Sequence, residues 1–255
     1  MSAEMVLSVF RGEPRDGAEH EYRVPLAPGM VVLDAIRWIQ AQLVPDLVVR
    51  WNCKAARCGS CAAEIDGRPK LMCKTRLDAY RGRVLHVRPL HTFPLVRDLV
   101  TDVSWNYRVA QRIPPPATAL PAPLNMQARD VGRSQEFHRC IECWLCQDVC
   151  HVLREHGGQG QYVGPRFVAK IAESEMHPLD VGDRIDFLVA ESGIGLCNVT
   201  RCCQEVCPEA IRITDNAIIP LKERVADRDW DPVRRLTRRW RRRAGRSGPP
   251  GRTGG

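Results

Sequence analysis

Arg139-Cys140-Ile141-Glu142-Cys143-Trp144-Leu145-Cys146-Gln147-Asp148-Val149-Cys150 is the stretch on which the reading of this chain turns. Its cysteines follow the spacing C-x2-C-x2-C-x3-C, the arrangement in which thiolates hold an iron–sulfur cubane. Such a run does not complete its own site, because where two clusters are held its last cysteine ligates the other one. A second cysteine set is therefore expected downstream. Reading back from Cys207-Pro208 in the same register meets Cys203, then Thr200, then Cys197, so threonine stands where a middle cysteine would be. Cross-ligation assigns Cys140, Cys143, Cys146 and Cys207 to a 4Fe-4S cluster and leaves Cys150, Cys197 and Cys203 as a three-thiolate site. That site suits a 3Fe-4S cluster, or a cubane with one iron on a non-protein ligand. No substitute ligand stands nearby, so 3Fe-4S is preferred. Cys202 falls out of register and is expected to be a packed free thiol.

Around these runs the signals are helical. Cys140 to Glu155 reads as a ligand loop running into a helix stopped by Gly157-Gly158, and Pro165 to Glu175 and Asp183 to Glu191 read as two short helices. Upstream, Pro114 to Pro123 holds five prolines in ten residues. This is a stiff, extended connection and the best domain boundary in the chain.

Before that boundary a different spacing occurs. Cys53-Lys-Ala-Ala-Arg-Cys58-Gly-Ser-Cys61, with Cys73 further on, is the plant-type C-x4-C-x2-C…C pattern of a 2Fe-2S cluster. Ala55, Ala56, Gly59 and Ser60 are small, as backbone wrapped closely around sulfides requires. Met5–Arg11 and Glu21–Leu26 read as a hairpin, Val32 to Leu43 as an amphipathic helix ending before Pro45, and Ala62–Asp66 with Lys70–Lys74 as a second hairpin about Asp66-Gly67. Hairpin then helix is the opening of a β-grasp layout. Leu95 to Tyr107 repeats apolar residues at helical intervals. The expected fold is α+β: an N-terminal β-grasp plant-type ferredoxin domain (1–112), then the proline-rich linker and an α-helical bacterial-type two-cluster ferredoxin domain (113–226), then an arginine-rich tail (227–255).

Composition narrows the alternatives. Twelve cysteines would suit a disulfide-rich secreted protein, but the first thirty residues show no apolar h-region, so a reducing cytosol and metal ligation are expected. No stretch approaches the ~20 apolar residues of a membrane span. The formal charge of +8 is local: residues 233–255 hold nine arginines and no acid, and the rest is near neutral. Val233, Leu236 and Trp240 would form the apolar stripe of a basic helix suited to an anionic lipid surface; a solvated, disordered extension is the competing reading. Nucleic acid is not an expected partner, because no aromatic stacking platform accompanies the charge. Structural zinc usually takes paired C-x2-C elements, which this crowding of three cysteines on one loop does not match. There is no G-x-G-x-x-G or Walker loop and no general-base or nucleophile constellation. One-electron centres on two linked modules describe a conductor.

The order of the three cysteine sets resembles the iron–sulfur subunit of succinate dehydrogenase and quinol:fumarate reductase over about residues 5 to 225. The resemblance implies an electron-transfer subunit without catalytic residues of its own, in respiration and the tricarboxylic acid cycle. It implies a partner flavoprotein carrying FAD at the first domain. At the second it implies an integral membrane anchor, optionally with haem, and quinone, with the chain peripheral at the cytoplasmic face of the cell membrane. Alternatives are a fumarate reductase running in reverse or another quinone-linked dehydrogenase. Heterodisulfide-reductase-like and glycolate-oxidase subunits carry Cys-Cys-Gly elements, whereas Cys202-Cys203 is followed by Gln204. Three departures leave the quinone-binding residues unknown: His151 where many members have proline, no tryptophan between 151 and 197, and Asn198 where some have histidine. The register is tested by substitution: Cys202→Ala keeps the EPR signal of an oxidised 3Fe-4S centre and Cys203→Ala abolishes it, and the opposite pair of results reverses the assignment.

Overall fold

The computed structural model describes residues 4–118, 126–155 and 158–230. The expected basic helix through Val233, Leu236 and Trp240 lies outside them. The N-terminal part is built on a mixed five-stranded sheet. β1 (Glu4–Arg11) and β2 (Ala18–Pro25) form the first hairpin, and β3 (Ala62–Ile65) and β4 (Arg68–Leu71) the second. β5 (Leu85–Arg88) joins them, giving the order β2-β1-β5-β3-β4. β5 runs parallel to β1 with Leu7 opposite Leu85, and antiparallel to β3 with Ile65 opposite Val87. Met5, Leu7 and Val9 alternate into the core at period two. α1 (Val32–Gln42) adds Val32, Leu33, Ala35, Ile36 and Ile39 to the same core at helical period. Burial of each large aliphatic contributes about 1.5–3 kcal/mol. The Asp34 carboxylate accepts the Val31 N–H at 3.1 Å and closes the start of α1.

Asp66 and Gly67 both take positive φ, as a two-residue turn between twisted strands requires. The return strand is Arg68–Leu71 rather than Lys70–Lys74, so Cys73 lies in the turn beyond it. The helix expected across 95–111 is also corrected. A two-stranded ribbon, β6 (Leu95–Arg97) and β7 (Val100–Thr101), precedes a shorter α2 (Ser104–Arg112). The cause is Asp98, fully buried with φ +51, which no α-helix tolerates. One carboxylate oxygen accepts Gly12 N–H at 2.7 Å and Arg11 Nε at 3.1 Å, and the other accepts Val48 N–H at 2.7 Å. Tertiary hydrogen bonding overrides the apolar repeat.

The second part is helical: α3 (Ala128–His138), α4 (Leu145–Asp148), α5 (His151–Glu155), α6 (Pro165–Glu175), α7 (Ile185–Ala190), α8 (Cys202–Glu205) and α9 (Ile219–Trp230), the last entered through a π-type segment, Ile213–Ile218. The single helix expected to run out of the ligand loop is broken into α4 and α5 around Cys150. α6 is central, burying Phe167, Val168, Ile171 and Ala172 between α3 and the π-type segment. Between α6 and α7, Arg184 is buried with two carboxylates and two backbone carbonyls as partners. It reaches Asp180 at 2.9 Å, Glu175 at 3.1 Å, and the Pro114 and Pro115 carbonyls at 2.9 and 2.7 Å. The start of the proline stretch is thereby docked on the helices. Removing one member of a buried ion network leaves uncompensated charge and costs about 3–5 kcal/mol. Arg184→Ala is expected to lose that much in urea unfolding, while Arg112→Ala, whose pairing with Glu191 is exposed, loses under ~1 kcal/mol.

Candidate metal centres

All twelve cysteines are free thiols. The first group lies on the loop between α1 and β3. Lys54, Ala56 and Gly59 take positive φ, and this alternation turns successive N–H groups toward one concave side. Ala55 and Arg57 N–H donate to Cys53 Sγ, both at 3.3 Å. Burial would raise the Cys58 thiol, but backbone N–H groups of Cys53 and Ser60 and the Ser60 hydroxyl outweigh it and hold Cys58 at about 6. Cys61 is buried, pushed up to about 12 by burial and by the neighbouring Cys73. Met72 N–H donates to the Cys61 carbonyl at 3.0 Å, the bond that brings the Cys73 turn against the loop.

The second group surrounds a cavity lined by Cys140, Cys143, Cys146 and Cys207, together with Arg166, Ile211 and Ile213. Cys150 is not on that lining. It lies within electrostatic reach of Cys197 and Cys202, and Cys203 lies within reach of the same three. Two loops with the same winding deliver these thiols. Glu142 and Trp144, two and four residues after Cys140, have φ +53 and +63; Val199 and Arg201, two and four after Cys197, have +62 and +65. Thr200 thus occupies the position on its loop that Cys143 occupies on the other, the register read from the sequence. Cys202 is half-buried and accepts a hydrogen bond from the Thr200 hydroxyl at 3.3 Å.

Whether iron–sulfur clusters fit can be judged from the polar atoms left over. Arg166 is buried, yet its Nε and Nη1 have no partner; only Nη2 is bound, to Glu142 at 3.0 Å. The buried Tyr162 hydroxyl likewise has no partner, with Cys197, Cys150 and Cys203 around it. Orphaned buried donors aimed at thiol groups are the complement of sulfide and thiolate acceptors. Burial pushes the Cys143 and Cys203 thiols up to about 12, so four ionised thiols cannot sit here without positive charge between them. Iron bound here would supply that charge, with the thiols deprotonated as ligands. A single metal ion draws its ligands to one point, whereas a cluster spreads them. Among the described residues no three His, Cys, Asp or Glu converge as one ion requires.

The first two groups stand back to back. A Cβ on Gly59, at φ +70, would lie 2.7 Å from Cys143 Cα. Around this contact Thr92 N–H and hydroxyl donate to Asp148 at 2.9 and 3.1 Å, and Lys74 Nζ donates to the Pro208 carbonyl at 3.1 Å. Arg154 binds both Glu64 of β3 and Asp148. Gln147, between two cysteines, donates to the Val163 carbonyl at 3.0 Å and to Asn106 at 3.3 Å, and accepts Arg166 N–H at 3.2 Å. Sequence reasoning missed Arg166, Tyr162 and this seam, because nothing local marks residues that reach the cysteines only through tertiary packing.

A 2Fe-2S iron–sulfur cluster binding domain model matches residues 6–107, and a 4Fe-4S dicluster domain model matches residues 136–211. The fumarate reductase iron–sulfur subunit of Haemophilus influenzae is 30% identical over 231 residues, covering 82% of this chain and 89% of that protein. That of Escherichia coli O6:H1 is 31% identical over 220 residues, covering 80% and 86%. A chain of the Mycobacterium smegmatis Sdh1 complex in the apo form superposes with a TM-score of 0.87 at 53% identity, covering 91% of this chain and all of that one. The seam is testable. Gly59→Ala is expected to lower the urea midpoint well beyond Gly67→Ala, which shares the positive φ (about 1–2 kcal/mol) but has open space around it.

Proposed function

The chain belongs to the family of iron–sulfur subunits of succinate dehydrogenase and fumarate reductase, and from that premise we propose that it relays single electrons from the FAD of a flavoprotein subunit to quinone at a membrane anchor. The domain models establish 2Fe-2S and 4Fe-4S binding. When bound, the clusters supply one-electron steps between a two-electron donor and a two-electron acceptor. Cys53, Cys58, Cys61 and Cys73 hold the 2Fe-2S cluster on a β-grasp ferredoxin domain ending near residue 112. Cys140, Cys143, Cys146 and Cys207 hold the 4Fe-4S cluster, and Cys150, Cys197 and Cys203 a 3Fe-4S cluster, on the helical ferredoxin domain that follows. The single observation that carries the whole is the close approach of Gly59 to Cys143. It supports a short gap between the first two centres, and electron tunnelling falls steeply with distance.

The chain's own residues shield and orient. Burial of Cys143, Cys146 and Cys203 keeps water from the sulfurs. Thr214, 3.4 Å from Cys203 Sγ, and Tyr162 offer hydroxyls at the three-thiol site. Among the described residues no helix is long and apolar enough to cross a membrane. On this reading attachment at the cytoplasmic face is the work of anchor subunits, and the arginine-rich tail is an added contact to anionic lipid. The 53% identity to the Sdh1 complex chain, against about 30% to the fumarate reductase subunits, favours succinate oxidation as the working direction.

Purification of the tagged chain from its host is expected to bring with it a flavoprotein, about nine irons per chain for the three clusters, and succinate-dependent reduction of a dye. Zinc without acid-labile sulfide, or a preparation without succinate oxidation, overturns the reading. A faster fumarate reduction than succinate oxidation in the same preparation reverses only the direction.

A further inference from the structure

We propose that Arg166 sets the electron affinity of the cluster held by Cys140, Cys143, Cys146 and Cys207, its buried guanidinium facing that cluster and favouring the reduced form. The inference rests on the ligand assignment above. Arg166 is 7% exposed and lines the same cavity as those four cysteines. An arginine keeps its charge in any protein environment, so burial demands a counter-charge. Glu142 meets it only in part: it binds Nη2 at 3.0 Å and its side chain is half exposed to water, which screens it. Nε and Nη1 have no protein partner. The negative groups left within electrostatic reach are the cluster thiolates, Cys140 and Cys146.

The guanidinium is aimed by backbone. Pro165 begins α6, and the next N–H, that of Arg166 itself, is bound by Gln147 Oε1. At Gly164 any Cβ would strike the Gln147 amide at 2.1 Å. The side chain therefore leaves a helix start held by these contacts, and it lies on the cavity lining. A thiolate-bound cluster carries one more negative charge reduced than oxidised. A fixed cation in a dry site stabilises the reduced form more, and N–H donation to sulfur acts in the same direction. At the neighbouring three-thiol site the equivalent orphan donor is the neutral Tyr162 hydroxyl. A cation stands there too, but Lys222 Nζ donates to the Cys197 carbonyl at 2.5 Å.

EPR-monitored redox titration of the intact complex tests this. Arg166→Gln is expected to shift the one-electron reduction equilibrium of the 4Fe-4S centre at least tenfold toward oxidation, a fall of 59 mV or more in midpoint. Arg166→Lys, which keeps charge but not the planar fork, is expected to fall less. Glu142→Gln, which removes the compensating anion, is expected to raise the midpoint. A 4Fe-4S signal with an unchanged or raised midpoint in Arg166→Gln overturns the proposal. If that variant loses the cluster, an unchanged or lowered midpoint in Glu142→Gln overturns it instead. A wild-type complex lacking any 4Fe-4S signal strikes down the ligand assignment itself.

Discussion

The arrangement of the molecule depends on one backbone contact, that of Gly59 with Cys143. A loop carried by a β-sheet and a loop carried by helices meet with no side chain between them, and no residue other than glycine satisfies both the left-handed backbone and the space. Everything around the contact buttresses it. Arg154 ties β3 to the helical loop through Glu64 and Asp148, and burial with Glu64 alongside pushes Asp148 toward its neutral form. Trp105 Nε1 donates to the Gln159 carbonyl at 2.9 Å, and Gln159 donates to the Thr92 carbonyl at 3.1 Å, so the segment after the sheet is tied to the helices as well. These hydrogen bonds and ion pairs fix register between the two parts more sharply than apolar packing alone would.

Much of the site was legible because cysteine spacing is a covalent-geometry constraint. Three thiols so closely spaced on one loop are expected to converge, and the structure gathers Cys140, Cys143 and Cys146 at one cavity. Register put Cys207 with these three, and it lines the same cavity; the matching left-handed positions in the two loops are the backbone counterpart of that register. Pro165–Glu175 was legible to the residue, since proline at its first turn and a clean apolar stripe agree.

What escaped reading has a common cause. Leu95 to Tyr107 shows a helical repeat, but Asp98 is worth more as a buried acceptor for Gly12, Arg11 and Val48 than as a helix residue, and its partners lie 50 to 87 positions away. Arg166 looks like an ordinary charged residue in a helix and is instead buried against thiols. α3 carries few apolar residues, because its faces are completed by Ser134, which donates to the Glu173 carbonyl at 2.6 Å, and by Glu136, which accepts the Arg212 N–H at 2.7 Å. Long-range polar partners leave no periodic trace.

The left-handed residues of the ligand loops bear on how the protein comes to exist in a cell. Lys54, Ala56, Glu142, Trp144, Val199 and Arg201 each hold a backbone shape that costs about 1–2 kcal/mol outside glycine. A chain without bound clusters would bear that cost unrelieved, so these windings would be among its least stable segments. Such a chain, sound in its core but open at the loops, would be the form most exposed to proteolysis. The stability of the subunit would in this way follow the occupancy of its loops by the inorganic groups they hold.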